Sequence, residues 1–206
     1  MKFDIGSDTD KAICIALKHE FLRCDEVFNQ FASTATALIM KGHDRKLAYE
    51  AYNAYARFIH HLYEFALCAI ARDRGDTTTS RGADAERYLA SYLQRSLRKR
   101  RDAISDGTAP AWENHISAFP ENIPAELPTA FRLARNIANG HAGVKRSSLD
   151  LSDFYDRYHS FLHIFYKDAE SWWGRSTDEF PDLQEITAFS VAIREKPQQG
   201  TSGNLS

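Results

Sequence analysis

The stretch from Arg135 to His141 (Arg-Asn-Ile-Ala-Asn-Gly-His) places a fixed cation, an amide and a titratable imidazole within seven residues. A guanidinium can bind a phosphate group through parallel hydrogen bonds. An imidazole, with an unperturbed pKa of ~6.5, can accept or donate a proton near neutral pH. These residue types therefore predict a site that binds a phosphate and transfers a proton.

The helix that carries Arg135 must end before His141 if the two side chains are to act together. On a regular α-helix, six positions rotate the chain by about 600°, so the two side chains would point ~120° apart. Asn139 and Gly140 both tolerate left-handed backbone angles and commonly end helices. We therefore predict a helix stop at this pair, with His141 just beyond the last turn.

Other basic and polar residues are candidates for binding the substrate. Arg132 and Asn139 share the polar face of the same predicted helix. Seven basic residues and only two acidic ones occur between Arg81 and Arg101, of which Arg98 and Arg101 are candidate contacts. The formal net charge of −2 argues against a protein that coats nucleic acid non-specifically. The basic segment either steers a polyanion to one surface or forms a solvated helix face.

A polar stripe on the predicted second helix contains Arg57, His60, His61 and Glu64. Residues three or four positions apart on a helix can contact each other, as His61 and Glu64 or His60 and Glu64 would. This stripe could support the arginine site from a neighbouring helix. The alternative is a solvated face with local pairs.

Apolar residues recur at steps of three and four along most of the chain, which predicts an all-α protein. The predicted helices run from Asp8 to Gly42, Asp44 to Gly75, Ala83 to Ile104, Ala125 or Pro128 to Asn139, and Ser152 to Trp173, with a short last one at 182–193. We predict an antiparallel bundle of about five main helices, with two long helices first. We also predict that residues 1–193 form a single domain and that 194–206 form a disordered tail.

Four aromatic and histidine patterns carry further expectations. Trp112 and Phe119, in a proline-rich connector, are expected to pack onto the bundle. The Trp172-Trp173 pair is expected to cap the core or form a dimer contact rather than to stack on a base. Arg157 and His163 repeat the five-residue gap of the main motif but lack its helix stop, so we interpret them as a chance match. His159 and His163 could share a metal ion, but no carboxylate or cysteine ligand accompanies them. We predict no metal and no cofactor.

Arg135, Asn136 and His141, late in an all-helical chain, resemble the signature of the HEPN superfamily (higher eukaryotes and prokaryotes nucleotide-binding domain). That motif is an Arg, directly followed by a polar residue that is often Asn, then a short gap and a His. The gap here is five residues. The resemblance extends over residues 8 to about 175 and is carried by the motif and the helix pattern. The motif and the helix pattern are most similar to those of toxin-like members carried on plasmids or in defence loci.

The resemblance implies a metal-independent endoribonuclease in which the RNA 2′-hydroxyl attacks the adjacent phosphorus. His141 would be the general acid or base, Arg135 would stabilise the transition-state charge, and Asn136 would orient the substrate or His141. The family pairs two protomers, which implies a homodimer, and a toxin implies an antitoxin partner. No apolar run has the length of a membrane span, and three cysteines without zinc spacing indicate reduced thiols and a cytoplasmic location.

Two other classes of function remain open from the residues. One is a non-catalytic helical module that binds a nucleotide, RNA or a protein. The other is a metal-binding bundle, which would require metal in the purified protein.

Overall fold

The computed structural model of the protein describes residues 1–42, 44–113, 115–138, 149–174 and 184–195. Over these ranges the chain forms helices and no strand, which confirms the predicted all-α class. The helices are α1 (Asp8–Lys41), α2 (Arg45–Asp73), α3 (Gly82–Ser105), α4 (Leu127–Ala138), α5 (Leu151–Trp173) and α6 (Gln184–Glu195), with a 3₁₀ turn at Ile116–Ala118.

The two longest helices, α1 and α2, form an antiparallel hairpin. Gly42 ends α1 with a φ of 77°, a conformation that glycine adopts without a steric penalty. The Asp44 carboxylate then accepts hydrogen bonds from two N–H groups of the first turn of α2, at 2.8 and 3.1 Å. At the opposite end, Arg72 Nε donates to Asp10 Oδ1 at 2.7 Å. This pair joins the end of α2 to the start of α1.

The hydrophobic core lies between α1, α2, α3, α4 and α5. Its most buried side chains, each at most 3% exposed, include Leu17, Phe21, Cys24, Ile59, Leu62, Ala66, Phe131, Ala134, Leu162 and Phe165. They recur at steps of three and four along each helix, as the sequence pattern predicts. Burying a large apolar side chain contributes roughly 1.5–3 kcal/mol, so this core determines how the five helices are rotated against one another.

The connector between α3 and α4 is attached through polar contacts rather than through its tryptophan. The prediction that Trp112 packs onto the bundle is wrong, since its side chain is 83% exposed. Instead, Gln94 of α3 donates to the Glu121 carbonyl at 2.8 Å and accepts from the Ile123 N–H at 3.0 Å. The Arg101 guanidinium also donates to a connector carbonyl. These bonds satisfy backbone groups of the connector, so Trp112 is not needed to hold it.

The C-terminal turn of α5 exposes one tryptophan and buries much of the next. Of the Trp172-Trp173 pair, Trp172 does not cap the core, because its side chain is 71% exposed, and a dimer contact through it stays a prediction. Trp173 packs against the core instead, with its ring 6.3 Å from that of Phe65. Trp173 follows the buried Ala169 by four residues and continues its stripe, whereas Trp172 lies about 100° around the helix from Trp173.

The last described helix, α6, begins and ends two residues later than the predicted 182–193 segment. It includes the first two residues of the predicted tail, and residues 196–206 lie outside the described ranges. The three cysteines are free thiols. In the part of the chain that the structure describes, no helix is both long and apolar enough to cross a membrane.

Candidate functional site

The sequence of α4 positions Arg135 beside α2. Phe131, Ala134 and Ala138 are buried against the core at steps of three and four. Because one flank of the helix is buried, Arg135 lies at the edge of that flank and Asn136 is exposed beside it. The position of Arg135 therefore depends on α4 packing with one particular rotation about its own axis.

Arg135 is bound to a carboxylate of the second helix. Its Nε donates to Glu64 Oε1 at 2.7 Å, and its Nη2 donates to the same oxygen. On the other side, Nη1 donates to the Asn136 amide oxygen at 2.9 Å. The guanidinium also lies 5.8 Å from the centre of the Tyr63 ring, within the range of a cation–π contact. We call Glu64, Arg135 and Asn136 the α2–α4 seam.

Arg132 forms a second ion pair, with a residue of α3. Its Nε donates to Glu86 Oε1 at 2.6 Å, and Thr129 Oγ1 donates to Oε2 of the same carboxylate at 2.9 Å. The hydrogen bond from Arg132, and then that from Thr129, hold the pKa of Glu86 below its usual range. Arg132 thus fastens α4 to α3, whereas Arg135 fastens it to α2.

The remaining residues of the motif, His141 and Asn139, lie outside the described residues, as does the predicted helix stop at Asn139-Gly140. The described part of α4 extends to Ala138, three positions before the histidine. The structure therefore locates the arginine and the first amide of the motif. The position of the imidazole stays a prediction.

The polar stripe on α2 divides between two neighbouring helices. Glu64 binds Arg135 of α4, as described above. Arg57 donates to Gln30 of α1 at 2.6 Å, and His61 Nδ1 lies 2.6 Å from Glu20 Oε1, also on α1. Arg57 and His61 therefore stabilise the α1–α2 hairpin and do not contact Arg135.

Glu20 and Glu86 are partners that the sequence analysis did not identify. Burial raises the pKa of Glu20. The hydrogen bond and the positive charge of His61 lower it by more than burial raises it, so the net shift is downward. Glu20 is 41 positions from His61, and Glu86 is 46 positions from Arg132. No local spacing relates residues so far apart, so these pairs are visible only in the folded chain.

His60 lies between the two halves of the α2 stripe. Its Nδ1 atom is buried and has no hydrogen-bond partner among the described residues. Burial lowers the pKa of His60, and the neighbouring His61 lowers it further. His60 is therefore a partly buried imidazole beside Glu64 and Arg135, with its Nδ1 atom shielded from solvent.

The two arginines proposed from the basic segment lie away from the seam. Arg101 donates to the Phe119 and Ile116 carbonyls, so it belongs to the anchoring of the connector. Arg98 is exposed on α3. It is twelve positions beyond Glu86, the residue that contacts α4, which corresponds to roughly 18 Å along the helix. The structure therefore does not bring Arg98 and Arg101 together with Arg135.

The second Arg-to-His spacing in the chain does not form a site. Arg157 donates to Glu126 at 2.7 Å and lies 3.5 Å from Asp153, on the exposed side of α5. His163 faces the aromatic core, where its ring lies 5.5 Å from that of Phe28. His159 and His163 lie on the same face of α5, with ring centres 5.9 Å apart. Among the described residues, no group of three or more potential metal ligands is present.

His159 provides a pH dependence of stability. Its ring stacks on Tyr155 at 4.5 Å, and burial, followed by the charge of His163, lowers its pKa to about 4. The unfolded value is ~6.5, so the unfolded chain binds a proton first as the pH falls. The contribution of a neutral His159 is complete above pH ~6.5 and is lost towards pH ~4, by roughly 1–3 kcal/mol.

We expect urea unfolding at several pH values between 7 and 4 to show this loss. His159→Phe should flatten the dependence, since phenylalanine keeps the ring stacking and cannot bind a proton. His115→Phe, at an exposed histidine, is the matched control and should leave the dependence unchanged. An equal slope in wild type and His159→Phe would show that other groups cause the loss.

The seam can hold a guanidinium in place, but it adds little net positive charge. Of the five N–H donors of Arg135, three are engaged by Glu64 and Asn136. Two remain without a partner among the described residues, one on each terminal nitrogen, and could donate to a phosphate. Because Glu64 neutralises the arginine, an anion would be bound here by directed hydrogen bonds more than by net charge.

The fold and the seam define this chain as an all-α bundle with an anchored arginine on α4. Comparisons with protein-family models, with curated proteins and with solved structures found no match. The function is therefore argued from the residues themselves.

Proposed function

We propose that this chain is a metal-independent endoribonuclease of the HEPN type, with Arg135, Asn136 and His141 as its catalytic residues. The observation that supports the proposal best is the orientation of the arginine. Glu64 holds one edge of the guanidinium and Asn136 holds Nη1 at 2.9 Å, which leaves donors on both terminal nitrogens. A preoriented guanidinium stabilises developing phosphate charge more effectively than a mobile one.

The proposed reaction is an internal transesterification of RNA. The 2′-oxygen attacks the adjacent phosphorus, the bond to the 5′-oxygen of the next nucleotide breaks, and a 2′,3′-cyclic phosphate forms. His141 removes the proton of the 2′-hydroxyl or protonates the leaving 5′-oxygen. Arg135 donates to the non-bridging oxygens, whose negative charge increases in the transition state. The proton lost by the 2′-hydroxyl balances the proton gained by the 5′-oxygen, and the transfer that one His141 does not make would fall to the His141 of a second copy of the chain.

A homodimer fits this chemistry, because one histidine cannot deprotonate the nucleophile and protonate the leaving group in the same step. Two copies would supply two Arg–His pairs. We further propose that the chain acts in the cytoplasm as a toxin or defence effector, controlled by an antitoxin protein. An unregulated ribonuclease would damage the cell that makes it.

A second candidate is a non-catalytic module that binds a nucleotide, RNA or a protein. The observation that favours it is that Arg132 and Arg135 are each engaged by a carboxylate, Glu86 and Glu64 respectively. In this alternative the arginines serve to fasten α4, and no cleavage takes place.

The proposal is tested by incubating the purified chain with labelled RNA in excess chelator. We expect cleavage and products that end in a 2′,3′-cyclic phosphate. Light scattering on the same preparation should give twice the 23.4 kDa mass of the chain. Intact RNA at every enzyme concentration would favour the binding module, and a monomer with full activity would refute the dimer.

A further inference from the structure

Two open clefts meet on the outer surface of α3, away from the α2–α4 seam. One has a volume of about 440 Å³ and lies between α1, α2, α3 and α5, with Tyr92 and Trp172 in its wall. The other, of about 630 Å³, lies between α3 and the connector and contains Arg98. Arg95 and Lys99 line both clefts and form the ridge between them. We call Arg95, Arg98, Lys99 and Trp172 the α3 ridge.

The cations of the ridge are available to a ligand. Arg98 is exposed and has no ion pair or hydrogen bond among the described residues. Arg95 and Lys99 are about half exposed, and their contacts with Asp73 and Asp168 are 3.5 and 2.9 Å long. The Arg95–Asp73 pair is exposed on both sides and contributes little to stability, so a phosphate could replace Asp73 at small cost. Asp168 is only 22% exposed and also accepts a hydrogen bond from Ser96, so it keeps a partner when Lys99 turns to a phosphate.

The same surface presents aromatic rings beside its cations. The Arg95 guanidinium lies 4.3 Å from the centre of the Tyr92 ring, and Lys99 Nζ lies 5.6 Å from that of Trp172. Trp172 is 71% exposed, an unusual position for the largest apolar side chain. A flat base stacking on this indole would cover the exposed ring while its phosphate reached Lys99. Alternating cations and aromatic faces are how proteins bind single-stranded nucleic acid.

The carboxylates of the clefts fit a nucleotide better than a simple anion. Asp73, Asp102 and Asp168 line the clefts together with four cations, the three of the ridge and Arg72. A surface of mixed charge binds a plain polyanion weakly. A nucleotide carries the N–H donors of its base as well as a phosphate, so it can bind both the carboxylates and the cations of the clefts.

We propose that the α3 ridge binds single-stranded RNA, with phosphates at Arg95, Arg98 and Lys99 and one base stacked on Trp172. The inference rests on the proposed function only in naming RNA as the nucleic acid. It gives the basic segment a role distinct from the seam: the ridge binds the strand, and the seam contacts the phosphate that reacts.

The test is fluorescence anisotropy with a labelled single strand of about 12 nucleotides, in a His141→Ala background that keeps the RNA intact. The triple variant Arg95→Gln/Arg98→Gln/Lys99→Gln should bind about 30-fold more weakly in moderate salt. Its log–log salt slope should fall by about 2, from a contribution of ~0.7 per phosphate contact. Trp172→Ala should bind about tenfold more weakly with an unchanged slope, since stacking releases no counterions.

The matched control is Lys41→Gln/Arg45→Gln/Lys46→Gln, which removes the same charge from exposed residues at the α1–α2 turn. We expect less than a threefold change. Equal weakening by both triple variants would show a non-specific charge effect and overturn the proposal. So would unchanged binding by Trp172→Ala, tighter binding of duplex RNA, or equally effective competition by inorganic polyphosphate. Circular dichroism is the check that each variant is folded before its affinity is compared.

The two proposals fail separately. RNA binding that depends on the ridge, without cleavage in chelator, would refute the ribonuclease and support the ridge. Cleavage that persists unchanged in the ridge triple variant, together with unchanged affinity, would refute the ridge and leave the ribonuclease standing.

Discussion

Replacing Arg135 or His141 by alanine is expected to lower RNA cleavage in excess chelator by about 100-fold or more. Arg135→Ala removes the donors that stabilise the phosphate charge. His141→Ala removes the group that transfers the proton. The measurement is single-turnover cleavage of a labelled RNA, with saturating protein so that weakened binding does not imitate a slower reaction.

Arg157→Ala is the matched control for the arginine. It removes a guanidinium from the other Arg-to-His spacing, where Arg157 binds the exposed Glu126 and lies outside the proposed site. We expect wild-type cleavage from this variant. Residual activity equal in wild type, Arg135→Ala and His141→Ala would mean that a contaminating nuclease, or another site, cleaves the RNA.

Arg135→Ala should leave the fold intact, which keeps the activity measurement interpretable. The ion pair with Glu64 is partly buried, with both side chains about one-third exposed, so its loss should cost about 1–2 kcal/mol, somewhat more than that of a fully exposed pair. A much larger loss in the free energy of unfolding would show that Arg135 is mainly structural. That outcome would favour the non-catalytic alternative.

The second large effect concerns the packing of α4. Phe131→Ala should lower the free energy of unfolding by about 3–5 kcal/mol, measured by urea denaturation. Phe131 is fully buried, and its ring meets that of Tyr63 edge-on at 5.2 Å. Removing the ring leaves a cavity between α4 and α2. Because Arg135 lies one turn further along α4, the same cavity should loosen the α2–α4 seam.

Leu133→Ala provides the control on the same helix. Leu133 is 45% exposed, so its truncation removes apolar atoms without opening a cavity. We expect a change of about 0.5 kcal/mol or less. A Phe131→Ala protein as stable as Leu133→Ala would contradict the packing of α4 against α2.

Most of the fold follows from local patterns in the chain. Apolar residues at steps of three and four, together with turn residues such as Gly42 and Asp44, predict helix positions that the structure confirms to within a few residues. The burial of single tryptophans is harder to predict, as the exposed Trp112 and Trp172 show. Whether such a side chain is covered depends on how the neighbouring elements pack, and the periodicity of apolar residues carries no such information.

The candidate site, too, is predictable from the sequence only in part. Residue types and spacing are sufficient to select Arg135 and Asn136 and to place them on a helix. The polar stripe on α2 makes Glu64 a candidate support for Arg135, but the sequence does not reveal that this carboxylate, 71 positions earlier, binds the guanidinium rather than a histidine of its own helix. It also does not reveal that Glu86 binds Arg132 from a third helix. Hydrophobic periodicity determines which face of each helix is buried. The partner of a polar group at the edge of that face depends on the rotation and offset of two packed helices, which only the tertiary structure sets.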